Sequence, residues 1–522
     1  MKFDRRTVLR TGLIAGGGTA LAALAASPAA GSPVAPALIR TGRPRLTHGV
    51  QSGDVTAGQG VVWARADRPS RMLVDVSHRP DFRGFRTVRG PVLTPETDLT
   101  GKAFLRGLPP GRQIHYRVRL ADLDRHSLVS APVEGGFRTP ARDRHDGRDI
   151  SFVWSGDLAG QGWGINPELG GYRIFRAMSA VDPDFFLCSG DWVYADGPLT
   201  ETVALPDGRT WRNLVTAEKS KVAETLAEYR GQFRYNLEDA GLRAFNAHIP
   251  MIYQWDDHEV TNNWYPGEIL NDARYTEKRV DVLAARARRA MFEYTPTAVQ
   301  AARDGRIYRK ISYGPLLDVF VLDMRTHKNA NTPNTSPTEA AGVLGAEQLA
   351  WLKRELRGSK ATWKVMAADL PIGLIVPDGT AQEGIAQGDG GAPLGREREI
   401  ADLLSYAKRH RVRNMVWLTA DVHYTAAHYY DPAKASFTDF DPFWEFVSGP
   451  LNAGAFGPNT LESTFGPQLK FHKAPPRANT SPAEGYQFFG EVGIDARSAT
   501  LTVRLRDLDG KVLYSTDLSP VR

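Results

Sequence analysis

One acidic stretch organises this chain, Trp255-Asp256-Asp257-His258-Glu259, and Asn262-Asn263-Trp264 follows soon after it. An apolar run at residues 249–253, Ile-Pro-Met-Ile-Tyr, precedes the stretch and predicts a buried strand. Carboxylates that gather at the end of a strand repel one another unless a positive charge lies between them. A bound metal ion is the simplest such charge, so the stretch predicts a metal site.

Three other stretches share this design of an apolar strand followed by an acid. They are residues 152–157 (FVWSGD), 185–191 (FFLCSGD) and 416–423 (VWLTADVH). Ligands of open α/β sheets gather beyond the carboxyl ends of the strands, so we expect four acids to converge there. These acids are Asp157, Asp191, Asp257 and Asp421.

Each of these residues alone also has an ordinary structural interpretation. An aspartate after a glycine is often a turn residue or a helix cap, and a lone histidine such as His423 is often structural. Four such strand ends in one domain favour the metal site. Oxygen ligands with one or two histidines suit calcium, manganese, magnesium or ferric iron. A phenolate from Tyr194, three residues after Asp191, would favour ferric iron, and a core tyrosine is the alternative.

Composition indicates an ordinary soluble globular protein of more than one domain, with 522 residues, 42% hydrophobic and 24% charged. The formal charge is +6, and the basic residues are dispersed, so no nucleic-acid-binding module is expected. Cys188 is the one cysteine, which excludes an intrachain disulfide, and its apolar surroundings favour a buried residue.

The first 35 residues have the pattern of an export signal. Asp4-Arg5-Arg6 is followed by a run of glycine, alanine and leucine and then by small residues near Ala30. The paired arginines predict the twin-arginine route, with a plain membrane anchor as the alternative. No other stretch approaches the roughly 20 apolar residues of a membrane span, so we expect no permanent span.

Two folded regions are predicted after this segment. Residues 46–140 have short alternating strands and proline–glycine turns, which favour a small Ig- or FnIII-like β-sandwich. A charged linker follows at residues 138–148. In residues 149–522 strands alternate with helices, expected at 172–180, 214–235, 277–294, 344–356 and 396–409, and strands return at the C-terminus. Residues 373–396 and 432–482 lack regular pattern and predict loops that line a site.

The motif set resembles the calcineurin-like metallophosphoesterases, and specifically the PhoD-type alkaline phosphatases. The resemblance rests on Gly-Asp-x-x-Tyr at 190–194, the stretch 255–264, and Leu-Thr-x-Asp-Val-His at 418–423. Residues 49–54, 60–65, 322–325 and 344–352 agree with it, so it covers the chain from about residue 46 to the end. It implies a four-layer α/β/β/α catalytic domain, twin-arginine export, and a dinuclear or multinuclear site of ferric iron with calcium.

The resemblance also implies roles for single residues. Asp191 matches the bridging carboxylate, Tyr194 the phenolate ligand, and Asp257 the position of the superfamily's metal-binding asparagine. His258 matches the histidine that contacts the phosphoryl oxygen or protonates the leaving group. The last metal motif is matched by Asp421 and His423, and Asn263 is a weaker candidate for an outer ligand.

One position departs from the family pattern. Asp157 stands where the best-known family members have a cysteine ligand, and most of the superfamily has an aspartate there. A pair of divalent ions such as Mn²⁺, Zn²⁺ or Mg²⁺ is therefore an alternative to iron and calcium. Since successive side chains of extended backbone point in opposite directions, we expect only one of Asp256 and Asp257 to be a direct ligand.

The expected activity is hydrolysis of phosphate monoesters by a metal-activated hydroxide, in a periplasmic or extracellular monomer acting on a small-molecule phosphate ester. His258 and Arg325 would stabilise charge on the phosphate or the leaving group. For Arg325, a structural ion pair with Asp323 or Glu347 is the alternative. Three other functions stay open: a phosphodiesterase or phospholipase-D-like activity of the same site, a non-catalytic calcium-binding sandwich protein, and a mononuclear iron oxygenase.

Overall fold

The computed structural model describes residues 42–143, 148–298, 305–337 and 342–521, and residues 43–522 form one compact unit. The predicted signal, residues 1–35, lies outside the described residues. Among the helices described, none combines the length and the apolar character that a membrane span requires.

Seven strands form the N-terminal region, and they divide between two sheets as the sequence predicts for a β-sandwich. Three of them, β1, β2 and β5, pair in one sheet, and the other four lie in the order β4-β3-β6-β7. Valines and aromatic side chains from both sheets, such as Val62, Val74 and Phe137, are buried between them. The strands are β1 (Leu46–Thr56), β2 (Gln59–Ala66), β3 (Ser70–Ser77), β4 (Arg86–Leu93), β5 (Thr100–Arg106), β6 (Gln113–Asp122) and β7 (Val133–Arg138).

The first of two large sheets has nine strands in the order β24-β23-β22-β8-β9-β12-β1-β2-β5. It includes strands of the N-terminal region, because β1 pairs in parallel with β12, with Gly53 opposite Met251. Its remaining strands are β8 (Ile150–Ser155), β9 (Phe185–Ser189), β12 (Met251–Gln254), β22 (Phe488–Ile494), β23 (Leu501–Asp507) and β24 (Val512–Leu518). A small separate hairpin consists of β10 (Thr202–Ala204) and β11 (Thr210–Arg212).

The second large sheet has seven strands in the order β13-β14-β15-β18-β20-β19-β21. They are β13 (Arg309–Ser312), β14 (Leu317–Val321), β15 (Trp363–Ala367), β18 (Met415–Thr419), β19 (Thr425–Tyr430), β20 (Phe443–Val447) and β21 (Pro467–Lys473). Two short strands of two residues each, β16 (Pro377–Asp378) and β17 (Ala381–Gln382), pair with each other.

Helices cover the outer face of each sheet, which gives four layers. Along each strand alternate side chains face opposite ways, so in β8 Phe152 enters the core between the sheets while Val153 faces the helices. The first sheet is covered by α1 (Ile174–Ala180), α2 (Leu226–Asn236), α3 (Ala240–His248) and α4 (Val280–Tyr294). The second is covered by α5 (Ala346–Gly358) and α6 (Glu397–Arg409). This arrangement confirms the predicted α/β/β/α architecture.

Three details of the sequence prediction are wrong. The helix predicted at 214–235 begins only at Leu226, because Thr225 and Glu228 form a capping box that fixes its start. Helix α3 was not predicted. Residues 432–482 contain two strands, and one of them, β20, is a central strand with Phe443 and Phe446 buried in the core layers.

Candidate metal centre

The predicted acids meet at one edge of the two sheets. Asp157, Asp191 and Asp257 follow the parallel strands β8, β9 and β12 of the first sheet, and Asp421 follows β18 of the second. The chain turns there through left-handed backbone, with φ of 67° at Asp157, 48° at Asp191, 66° at Asp421 and 60° at His423. Aspartate adopts this conformation more readily than most residues, so these types suit the turns.

Three groups of side chains bring possible ligand atoms within 4.8 Å of one another. We call them cluster 1 (Asp157, Asp191, His423), cluster 2 (Asp191, Asp257, His258) and cluster 3 (Asp256, Asp257, Asp421). Asp191 belongs to clusters 1 and 2, and Asp257 belongs to clusters 2 and 3. A carboxylate that two clusters share can bridge two metal ions.

The carboxylate of Asp157 fits a metal ligand. It is fully buried, and neither of its oxygens has a hydrogen-bond partner. Buried polar atoms normally have partners, so two unpartnered oxygens require another explanation, which a cation provides. Gly449 leaves space beside this carboxylate, because a Cβ atom at that position would lie 1.9 Å from Asp157 Oδ2.

His423 and Tyr194 complete the surroundings of cluster 1. His423 Nδ1 lies 2.5 Å from the carbonyl oxygen of Gly454, which requires the ring proton on Nδ1 and leaves Nε2 as an acceptor. The Tyr194 hydroxyl lies 2.8 Å from that Nε2. Burial lowers the pKa of His423 to about 4, so its imidazole is neutral, as a metal ligand must be. Burial, followed by the charges of Asp191 and Asp157, raises the pKa of Tyr194 well above its usual value.

One ring nitrogen of His258 has a carboxylate partner, Asp196. Its Nδ1 lies 2.7 Å from Asp196 Oδ1, and its side chain is 13% exposed. Burial lowers the pKa of His258, but the charges of Asp196 and Asp257 outweigh burial and raise it to about 9. The backbone N–H of His258 donates to Asp191 Oδ1 at 3.1 Å. The ring of Tyr194 packs on the imidazole with 4.2 Å between centroids.

Glu259 holds two of the ligand-bearing loops together. Its Oε1 accepts hydrogen bonds from Trp192 N and the Tyr253 hydroxyl, both at 2.7 Å. Its Oε2 accepts from Asp256 N at 2.7 Å and Asp191 N at 3.2 Å. One fully buried carboxylate thus fixes the loops that follow β9 and β12.

Arg325 lies inside cluster 3 and is fully buried. Its guanidinium contacts Asp369 and Asp421 at 3.1 Å and also pairs with Asp256 and Glu383. In the described part of the chain, the Arg325 guanidinium forms no ion pair with Asp323 or Glu347. Asp323 Oδ1 accepts a hydrogen bond from the backbone N–H of Arg325 instead. Arg325 thus contacts Asp256 closely and lies 3.8 Å from Asp257 Oδ1, and Asp257 also belongs to cluster 2.

Negative charge exceeds positive charge at this edge. Burial and neighbouring carboxylates raise the pKa values of Asp157, Asp191 and Asp421 well above the usual range. The cations packed among the acids are Arg325, Lys328 and His258. They face nine carboxylates: Asp157, Asp191, Asp196, Asp256, Asp257, Glu259, Asp369, Glu383 and Asp421. Bound metal cations would correct this imbalance.

Sequence reasoning missed three acids of this network, Asp196, Asp369 and Glu383. Asp369 follows the apolar strand β15 and so carried the same signal as the four predicted acids. Asp196 lies five residues after Asp191 in the same loop. Glu383 lies in the glycine-rich segment 373–396, where no pattern distinguishes it. The predicted outer ligand Asn263 donates its backbone N–H to Asp257 Oδ2 at 2.5 Å.

Two sheets between two helical layers, with acids at the strand ends, define a metallophosphoesterase fold. A solved structure of PhoD superimposes with a TM-score of 0.69 at 20% identity, covering 92% of this chain and 90% of that one. The purple acid phosphatase PPD1 from yellow lupin seeds superimposes with a TM-score of 0.56 at 13% identity, covering 92% and 74%.

The family model of the PhoD-like phosphatases matches residues 152–505, and that of their N-terminal domain matches residues 33–141. The chain therefore belongs to the PhoD-like phosphatase family. Alkaline phosphatase D of Bacillus subtilis (strain 168) is 27% identical over 445 residues, which are 80% of this chain and 71% of that protein. The resemblance inferred from the motifs is confirmed, and the protein is a phosphatase.

Proposed function

We propose that this phosphatase hydrolyses phosphate monoesters at clusters 1 and 2, with Asp191 as the bridging carboxylate. The observation that carries the proposal is the position of Asp191, whose carboxylate belongs to both clusters. Asp157, His423 and Tyr194 would complete the first metal site. Asp257 would complete the second site, and Asp421 would support it from cluster 3.

The ligand types favour ferric iron at cluster 1 and calcium at cluster 2. A phenolate is a strong ligand for ferric iron, and the Tyr194 hydroxyl lies beside His423 Nε2 in cluster 1. The carboxylates of cluster 2 suit a hard ion such as calcium. Since Asp157 replaces the family's cysteine, Mn²⁺, Zn²⁺ or Mg²⁺ are the competing ions.

The metals, when bound, would supply positive charge to the phosphate and lower the pKa of a water molecule. His258 presents Nε2 to the substrate because its Nδ1 is held by Asp196. In the metal-free protein the charges of Asp196 and Asp257 raise the pKa of His258 to about 9, and Asp196 would keep the imidazole protonated so that it can donate a proton to the leaving oxygen. Arg325 is fully buried, so its proposed part is to neutralise Asp256 and Asp421 around the site.

Metal analysis of the purified protein, together with two substrates, tests this proposal. We expect iron and calcium in the protein and faster p-nitrophenol release from p-nitrophenyl phosphate than from bis-p-nitrophenyl phosphate. The opposite order of rates would identify a diesterase on the same residues. Protein that holds no metal and releases no phosphate would overturn the proposal.

Export by the twin-arginine route to the periplasm or outside the cell is the second part of the proposal. It is supported by Arg5 and Arg6 ahead of an apolar run. We expect the wild-type protein outside the cytoplasm and the Arg5→Lys/Arg6→Lys variant inside it. Cell fractionation with an activity assay measures this, and equal distribution of both proteins would contradict it.

A further inference from the structure

Two buried glutamates lie together outside the metal centre, one at the start of α6 and the other in the loop before β21. Glu397 is fully buried at the start of α6, and Glu462 is 2% exposed. One loop contacts both carboxylates, since Gln387 Nε2 donates to Glu397 Oε2 and Gly390 N donates to Glu462 Oε1, so the two glutamates are neighbours. No lysine or arginine forms an ion pair with either of them in the described ranges.

Each of these carboxylates uses one oxygen for hydrogen bonds and leaves the other without a partner. Glu397 Oε2 accepts from Gln387 Nε2 at 2.6 Å, and Glu462 Oε1 accepts from Gly390 N at 2.7 Å. Glu397 Oε1 and Glu462 Oε2 have no partner, and the same is true of Gln387 Oε1, whose residue is 6% exposed. A buried oxygen without a partner is unfavourable, so three of them together require compensation.

We propose that Glu397, Glu462 and Gln387 bind a calcium ion that is separate from the catalytic metals. Two carboxylates and an amide carbonyl are hard oxygen ligands of the kind that calcium takes. The neighbouring glycines, Gly388 and Gly390, have left-handed backbone and allow the loop to turn closely around the carboxylate of Glu462. Water molecules would supply the remaining ligands.

The charge state of the pair agrees with a bound cation. Burial and the charge of Glu462 together raise the pKa of Glu397 to about 8. Without a cation, Glu397 would bind a proton at neutral pH. A calcium ion would displace this proton, so the alternative to the calcium site is a protonated Glu397.

The site would stabilise a segment that contacts the catalytic acids. Glu383 pairs with Arg325 and with Lys328, and Arg396 donates to the carbonyl oxygens of Gln382, Glu383 and Gly384. Glu397 follows Arg396 directly. A calcium ion on Glu397 would therefore fix one end of the segment 383–397, and the carboxylate of Glu383 at its other end pairs with Arg325.

Calcium binding by the wild-type protein and three variants tests the proposal. We expect Glu397→Gln and Glu462→Gln each to lose one calcium ion per chain in equilibrium dialysis, with affinity reduced about 10-fold or more. The matched control is Glu445→Gln, a fully buried glutamate whose two oxygens both have partners, Ile372 N and the Tyr430 hydroxyl. It should keep the wild-type number, and unchanged iron content would show that the catalytic metals are intact.

Equal calcium content in all four proteins would overturn the proposal and favour a proton on Glu397. A second measurement does not depend on the folding of the variants. Crystals of the wild-type protein with Mn²⁺ in place of calcium should give an anomalous peak between Glu397 and Glu462. Absence of that peak, with peaks present at the catalytic clusters, would also overturn the proposal.

Discussion

Asp191 is the residue on which the candidate metal centre depends. It accepts a hydrogen bond from the backbone of His258, and its own N–H donates to Glu259. Burial, followed by the charges of Asp257 and Asp256, raises its pKa, so in the metal-free protein its ionised form is unfavourable. Metal binding therefore requires the ionised form of Asp191, whereas the neutral form is the more stable one in the metal-free protein.

The variant Asp191→Asn should lose activity and metal yet stabilise the metal-free protein. Asparagine adopts left-handed backbone as aspartate does, and it cannot carry the charge that burial and the neighbouring acids disfavour at this position. After chelation we expect its melting temperature to exceed that of chelated wild type by about 1–4 °C. Differential scanning calorimetry measures this, with the exposed Asp207→Asn as control. A lower melting temperature for chelated Asp191→Asn would contradict the repulsion.

Asp196 should act as a positioning residue through His258. Because Asp196 belongs to none of the three clusters, Asp196→Asn should keep the metals. We expect kcat to fall about 10- to 100-fold with a small change in KM, since the imidazole loses the partner that orients its ring. Steady-state kinetics and metal analysis of the same samples check this. Loss of metal in proportion to activity would assign Asp196 to the metal shell.

At the scale of elements, the strands and their final acids were predictable and the connections were not. Apolar runs identified β8, β9, β12 and β18, and parallel strands bring their ends together. The partners of Arg325 could not be predicted, because Asp256, Asp369 and Glu383 come from three different connections. The start of α2 could have been predicted from the capping box of Thr225 and Glu228.

Strand β1 carries a titratable group that should make stability depend on pH. Burial, and then the charges of Arg65, Arg234 and Arg243, lower the pKa of His48 to about 4. Between pH 6.5 and pH 4 the unfolded histidine binds a proton and the folded one does not. The free energy of unfolding should therefore fall as the pH decreases through this range, by about 3 kcal/mol at most, and not above pH 6.5.

The variant His48→Gln should lose less stability over this range than the wild type. Urea unfolding at pH 7 and at pH 4.5 measures the difference, and the exposed His78→Gln provides the control. Identical pH dependence in wild type and His48→Gln would mean that His48 titrates normally in the folded protein.

At the scale of the whole molecule, the N-terminal region and the catalytic region share a sheet and a core. β1 pairs with β12, and Trp63 of β2 is buried in the core beneath helices α1–α4. The Trp63 indole N–H donates to the carbonyl of Glu293 at 2.7 Å. Asp54 of β1 pairs with Arg309 of β13 at 2.8 Å.

A fragment of residues 149–522 should therefore be insoluble. Without residues 46–140, β12 becomes an exposed edge strand and the core loses Trp63, and both changes promote aggregation. Expression of the fragment, followed by separation of soluble and insoluble protein, measures this. Coexpression with residues 42–143 should restore solubility. A fragment that is soluble and unfolds cooperatively by itself would contradict the shared sheet.

The pairing of β1 with β12 also restricts how such proteins can evolve. Recombination that replaced residues 46–140 with an unrelated sandwich would have to supply a strand that matches β12 and an indole that fits the helical core. A new sandwich joined to the catalytic region only through the linker, residues 138–148, would supply neither this strand nor this indole. The two regions are therefore expected to be inherited together, and substitutions along β1 and β12 to accumulate as compensating pairs.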